Sequence, residues 1–600
     1  MSKTAYPRPQ FVRENWLNLN GSWQFAFDDE NRGLKEKWHH QFEWPLKINV
    51  PFVYQAKLSG IGDRDIHDIV WYQKTFDYKQ KKNKRTILHF GAVDYEAYVY
   101  VNGQLVGQHE GGHTSFSFDI TDLLVKGQQQ ITLRIKDPHC DEEIPRGKQF
   151  WEKDSRGIWY TNSTGIWQTV WIEEVDEVHL ENVFFTPDLD NGSVSMHFLL
   201  PKEAIGSQLK VQIKFKDQLL IEDCLQITTK ELIRNFELYQ RKIFRSNFHD
   251  AGYTWSPENP NLFDVTLTII KDNEVTDIVT TYFGMRKIHT EKGMVYLNNQ
   301  PYYQRLILDQ GYWPEGLMTA PTEEDLINDI KLAKEMGFNG CRKHQKVEDP
   351  RFLYWADKLG YLVWGECASA PVYSEKAAAK LTIEWTEIIT RDYNHPSIVT
   401  WVPLNESWGV PEIHANKQQQ NFSVGIYHLL HALDGTRLVI SNDGWEMTET
   451  DICAIHNYSH GQSDEKNKYE HFKQSLADVK GLINLPPGKW QTFAKGYGYE
   501  GQPIMLTEFG GIGYKTGRQA GWGYTSVTTK TDFINEYRRI MAAIFASKAL
   551  WGFCYTQLSD VEQEINGLLT YDRKAKVDLS KIREINLQYY PAQIDITDQM

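Results

Sequence analysis

At Gly284 the pattern of the chain changes, and this change limits its possible folds more than any other feature. Before it, short runs of alternating polarity are broken by turn signals, with no long helical stretch between them. Leu19-Asn20-Gly21-Ser22-Trp23-Gln24-Phe25 is a turn followed by alternating aromatics, the period-two pattern of a half-buried strand. Residues 95–101, Asn102-Gly103 and residues 104–107 read as a hairpin, because Asn-Gly supplies the positive φ of a type I′ turn. Val211-Gln212-Ile213-Lys214-Phe215 and residues 264–269 alternate in the same way. Strands at this spacing predict two β-sandwiches, one over 1–176 and one of immunoglobulin-like size over 177–285. After Gly284, short apolar strands alternate with helical stretches, which signals βα units and a parallel sheet. Residues 302–308, 338–342, 361–366, 398–403, 437–441, 452–458, 504–508 and 550–556 are the candidate strands. The clearest helix runs over 322–336, where Thr322 caps and Leu326, Ile330 and Ala333 form one stripe. Eight strands within 286–600 predict a (β/α)8 barrel.

Two of those strands end alike. The run Ile398-Val399-Thr400-Trp401-Val402 leads to Asn405-Glu406, and Pro503-Ile504-Met505-Leu506-Thr507 leads to Glu508-Phe509-Gly510-Gly511. In a parallel barrel the C-terminal strand ends carry the chemistry. Two glutamates there suit glycosidic cleavage, in which one protonated carboxyl helps the leaving oxygen depart and one ionised carboxylate attacks or activates water.

Composition narrows the partners. A net charge of −14 and a pI near 5.8 argue against nucleic acid, since no basic patch is present to release phosphate counterions. Aromatic residues make up 13% of the chain, and such rings fill large sandwich cores or stack on sugar faces. Residues 1–13 hold no apolar core and no window approaches the ~18 apolar residues of a membrane span, so neither a signal peptide nor a membrane association is expected. The six cysteines lack disulfide or zinc spacing, which fits reduced thiols in a cytoplasmic protein.

At this point the chain resembles glycoside hydrolase family 2, and the likeness covers nearly all of it. The resemblance is carried by Leu19-Asn20-Gly21-Ser22-Trp23, Val101-Asn102-Gly103, Thr164-Gly165-Ile166-Trp167 and Trp255-Ser256-Pro257-Glu258-Asn259-Pro260. Asn394-His395-Pro396-Ser397-Ile398, Asn405-Glu406 and Thr507-Glu508-Phe509-Gly510 complete it. It implies a jelly-roll sugar-binding domain, an immunoglobulin-like domain and a catalytic barrel, in the order of the short three-domain members. It also implies retaining hydrolysis of a terminal β-linked sugar, with Glu406 as general acid/base and Glu508 as nucleophile. Asn405 then meets the sugar 2-hydroxyl, and Glu406 needs a raised pKa, which an apolar rim such as Trp408 could supply.

The weaker positions follow from the same resemblance. Tyr458 falls where the family has a tyrosine beside the nucleophile, and Arg342 where it has an arginine after the second strand; His344 arrives one residue earlier than the family's histidine. Where relatives carry a tryptophan platform at the eighth strand this chain has Thr556, so Tyr555, Trp445 and Trp522 are the candidates to replace it. Glu366 could ligate a metal, but Cys367-Ala368-Ser369-Ala370 offers no second ligand, so no metal or cofactor is expected. Family glucuronidases resemble one another in an Asn-x-Lys after the eighth strand, whereas this chain has Asn566-Gly567-Leu568 beside Asp560, Glu562 and Glu564. An exo-acting retaining β-glycosidase for a neutral sugar, of β-galactosidase type, is therefore expected. A β-glucuronidase and an inactive carbohydrate-binding protein are the alternatives, and a homo-oligomer is left open.

Overall fold

The computed structural model describes residues 6–238, 252–517 and 521–588. Residues 1–5 and 589–600 of the two outer expected domains, and 239–251 of the middle one, lie outside the described residues.

The first region is a sandwich of a four-stranded and a six-stranded antiparallel sheet. Its core is aromatic: Trp23, Phe25, Tyr54, Tyr72 and Phe90 are all buried between the sheets. The Asn102-Gly103 turn has positive φ at both residues (49° and 80°) and pairs Val101 with Gln104, as the type I′ reading requires. The second region stacks a three-stranded sheet, led by Asn182–Asp188, on a four-stranded one closed by Glu274–Phe283. Alternation along Gln208–Phe215 buries Leu209, Val211, Ile213 and Phe215 and leaves the intervening side chains outside.

The third region is the barrel. Its strands are β1 (Gln304–Asp309), β2 (Gly340–Lys343), β3 (Leu362–Glu366), β4 (Ile398–Val402), β5 (Leu438–Val439), β6 (Cys453–His456), β7 (Ile504–Gly510) and β8 (Leu550–Thr556). They hydrogen-bond in the order β5-β4-β3-β2-β1-β8-β7-β6, all parallel, with no ladder from β5 to β6 among the described residues. The helix Glu323–Glu335 starts at the expected Thr322, which forms a reciprocal capping box with Asp325. A small sheet over Ile288–Pro301, absent from the sequence reading, lies at the start of β8, where Val295 and Tyr302 carbonyls accept from the Trp551 indole. No helix of the described residues is long and apolar enough to cross a membrane.

The three regions are locked together by hydrogen bonds rather than by linkers. Asn394 donates to Val183 O and accepts from Phe185 N, and His395 Nδ1 lies 2.6 Å from Asp357, so this turn ties the second sandwich to the barrel. The 140–164 segment of the first sandwich reaches the barrel mouth. Gly147 N donates to Ser369 O beyond β3, while Tyr160 and Thr161 donate to Glu564 and Glu562 beyond β8.

Candidate active site

The C-terminal ends of the barrel strands converge on one buried cluster of charges. Arg342, at the end of β2, is fully enclosed; besides three acceptors it has Asp443 3.2 Å from Nε and His456 Nε2 3.3 Å from Nη1. Nε donates to Glu366 (2.7 Å), Nη1 to Glu508 Oε1 (2.9 Å) and Nη2 to Asn405 Oδ1 (2.6 Å). An arginine only donates, so this contact fixes the amide of Asn405 with its oxygen toward β2 and its Nδ2 free to donate. Tyr458 donates to the other oxygen of Glu508 at 2.7 Å. Burial alone drives the Glu508 carboxyl upward, but the charges of His456 and Arg342 overcome it and hold it at about 2.

Glu406 is held differently. Its side chain keeps 22% of its surface exposed, and Oε1 lies 2.8 Å from His456 Nδ1. The backbone turns sharply there: Glu406 and Ser407 have φ of 51° and 60°, a left-handed pair that non-glycine residues adopt at a cost and that clusters at functional sites. Two contacts hold the turn, Glu406 N donating to Asp443 O and Ser407 N to Asn442 Oδ1.

The sequence reading missed His456 and Asp443. His456 ends β6, and its Nε2 lies 3.1 Å from Asp443 Oδ1 and 3.5 Å from Glu508. Burial lowers its pKa, but Glu508, Asp443 and Glu406 outweigh that and push it up to about 10, so the ring is an imidazolium. The available signal was spacing, since two residues along a strand end is the same side as Tyr458. Asp443, held at about 2 against burial by Arg342 and His456, also accepts from Thr507. Two cations thus face four carboxylates, those of Glu366, Glu406, Asp443 and Glu508. Burial pushes Glu366 up to about 7, which lets it take a proton and reduce the excess.

The remaining expected residues divide. His344 is buried with Nδ1 3.2 Å from Glu366 and 4.0 Å from Glu508, and burial drives its pKa well below the ordinary value, so it is neutral. Trp445 meets the edge of His456 at 5.7 Å and stacks on Trp490, so it lies beside the Glu406 side of the cluster. Trp522 sits at the rim, its indole donating to Gly157 O, one ring removed from the site through Tyr524. Tyr524 itself stacks on Tyr458 at 3.6 Å and was not anticipated. Tyr555 is a correction: it is fully buried between Phe509 and Tyr537, outside the site. Strand alternation explains this, because Thr556 points inward to Tyr458 (2.8 Å) and its neighbour must point out to the helix layer.

For a metal, the described residues offer one set of three donors, on Glu406, His456 and Glu508, within 4.8 Å of one another. A dication there would displace the imidazolium proton and compete with the Arg342 guanidinium for Glu508, so the donor set does not suit a resident metal. Glu366 is already occupied by Arg342 and by the Gln345 backbone N–H.

Comparison with known proteins bears on the whole chain. Residues 17–159 match the sugar-binding domain of glycosyl hydrolases family 2, residues 178–286 a further model of glycosyl hydrolases family 2, and residues 315–589 the family's TIM barrel domain. The chain belongs to glycosyl hydrolase family 2. A β-galactosidase of Thermoanaerobacter pseudethanolicus is 26% identical over 66% of this chain, and a β-glucuronidase of Streptococcus agalactiae is 24% identical over 65%. The chain spans 51% of the length of the former and 66% of the latter. A β-glucuronidase from Ruminococcus gnavus, solved with D-glucuronic acid, superposes with a TM-score of 0.78 at 18% identity, covering 97% of this chain and 99% of that one. That likeness is one of fold.

Within the family frame, the acids that follow β8 prove to be occupied. Asp560 pairs with Lys576 (2.6 Å), Glu562 accepts from Thr161, and Glu564 accepts from Tyr160 (2.6 Å) and Asn566 (3.1 Å). Leu568 is buried core. The lysines after β2 are occupied too: Lys343 pairs with Asp309 and Glu348, and Lys346 with Glu348 and two carbonyls.

Proposed function

We propose that the chain is a retaining, exo-acting β-glycosidase of β-galactosidase type, with Glu508 as nucleophile and Glu406 as general acid/base. The observation that supports it most is the approach of the two carboxylates, with oxygens of Glu406 and Glu508 within 4.8 Å of each other. Retaining enzymes hold their carboxyl groups at about 5–5.5 Å, whereas inverting ones leave ~6.5–9.5 Å for a water. Glu508, ionised and gripped by Arg342 and Tyr458, attacks the anomeric carbon while Glu406 gives its proton to the departing oxygen. Esterification removes the Glu508 charge. Glu406 then takes a proton from water, and the hydroxide released attacks the same carbon and frees Glu508. Asn405 Nδ2 is available to the sugar 2-hydroxyl, a contact that strengthens in the transition state.

For the glycone, a neutral sugar is supported by the occupied cations at the end of β2 and in the loop after it. Arg342, Lys343 and Lys346 are neutralised by carboxylates, and Leu568 stands where the resemblance to glucuronidases implies a lysine. An unpaired uronate in such a pocket is disfavoured. A β-glucuronidase is the second reading, favoured by the likeness to β-glucuronidases of Streptococcus agalactiae and Ruminococcus gnavus. A panel of aryl β-glycosides tests both, with kcat/KM for the galactoside expected above that for the glucuronide. The reverse order overturns the neutral-glycone reading, and failure to hydrolyse any β-glycoside overturns the activity.

A further inference from the structure

Beside the carboxylate cluster lies a cavity of about 470 Å³, within the ~300–1,000 Å³ range of small-ligand sites. One wall comes from the barrel, with Gln345 after β2, Ser369 after β3 and Trp408 after β4; the other is the first sandwich's 140–164 segment, with Arg146, Lys148, Trp151 and Trp159. Trp159 meets Trp151 edge-on at 5.2 Å and Trp408 at 6.0 Å, so three indoles form a corner able to receive sugar faces. Trp408 is two residues from Glu406, and no residue of β6, β7 or β8 lines this space. It therefore opens on the proton donor's side of the mouth, away from the strand that bears Glu508. In double displacement the departing oxygen leaves on the side of the acid.

Lys148 makes this more than a hollow. It is 8% exposed, lines the cavity, and makes no ion pair among the described residues. Its ammonium lies over the Tyr160 ring at 5.9 Å, near the outer limit of a cation–π contact, and within charge range of Glu564, the carboxylate to which Tyr160 donates. Arg146 uses one donor on the His139 carbonyl and stacks over Trp151 at 4.9 Å, leaving other donors unused. The one acid in the lining, Glu142, is exposed, so the walls carry an excess of positive charge. With two cations and one exposed acid among the lining residues, a ligand carboxylate is favoured in this space.

We propose that this cavity is the leaving-group subsite, and that Lys148, with Arg146 at its rim, selects a leaving group bearing a carboxylate, such as a uronic acid unit. This rests on the glycosidase reading above and adds the class of aglycone to it. The test uses two aryl β-glycosides of whichever glycone the panel turns over, matched in leaving-group acidity, one carrying a ring carboxylate and one neutral. Wild type should favour the carboxylated member. Lys148→Met, which keeps the buried stem, should lower the carboxylated-to-neutral ratio of kcat/KM by about 10-fold or more, chiefly through KM. Lys148→Arg should restore most of it; this second variant and a thermal melt cover the case in which the methionine variant folds poorly. An unchanged ratio in Lys148→Met overturns the inference. So does an unchanged ratio accompanied by a fall in glucuronide over galactoside turnover, which assigns the cation to the glycone. Wild-type turnover of no glycoside overturns the function and the inference with it; turnover without the ratio change overturns the inference alone.

Discussion

The ends of β4 and β7 carry the same side chain in opposite settings. Glu508 is 6% exposed and clamped from two sides by Arg342 and Tyr458, on a strand that continues to Gly510. Glu406 follows a strand that has ended at Val402, on a left-handed turn, with part of its carboxyl open and His456 as its partner. Glu508 is thus fixed and held charged, whereas Glu406 keeps part of its carboxyl open beside His456. The difference in setting comes from the surroundings and not from the residue type, and it is the basis for the two proposed roles.

Removing each carboxylate in turn is the harshest way to break that comparison. Glu508→Ala should lower kcat by roughly 10⁴-fold or more on every substrate, because no covalent intermediate can form. Glu406→Ala should cost ~10²–10⁴-fold on glycosides with poor leaving groups and far less on activated aryl glycosides, where no proton is needed for departure. Azide should partly rescue it by attacking the intermediate without a base. Rates over a series of leaving groups, with and without azide, check both; identical responses from the two variants would reverse or erase the assignment.

Much of this contrast was legible in the sequence and some was not, for physical reasons. Glu406 and Glu508 stood out because each closes an apolar run that only a buried strand explains. Arg342, Asn405 and Tyr458 sit at such ends as well, and all come within hydrogen-bond distance of Glu508 or of Arg342. Tyr555 was misjudged because alternation along β8 turns it outward once Thr556 is recognised as the inward residue. Tyr524 and Lys148 were out of reach, since they arrive from a loop and from another domain. His456 is the instructive omission: it is adjacent to recognised residues, but its importance depends on Asp443 from the neighbouring strand end.

A gentler probe sharpens the comparison through that histidine. Its folded pKa is raised from the ordinary 6.5 to about 10, so the stability it adds is full below about pH 6.5 and lost as pH rises through about 10. His456→Asn should therefore show its widest gap in Tm from wild type near pH 6, closing toward pH 10. The same variant should lose about 10-fold to 100-fold in kcat/KM, with poor leaving groups hit hardest, since its partner is Glu406. Melts across pH check the first statement; a gap that stays constant or opens with rising pH removes the imidazolium from its place between Glu406, Asp443 and Glu508.

The most direct measurement is the configuration of the first sugar released. Carboxylate oxygens of Glu406 and Glu508 lie within 4.8 Å of each other, which favours the close spacing of a double displacement over the wider spacing that admits a water. Proton NMR during early turnover of an aryl β-glycoside should show the β anomer appearing first, with the α anomer growing in only by mutarotation. First appearance of the α anomer would contradict the role of Glu508 as nucleophile.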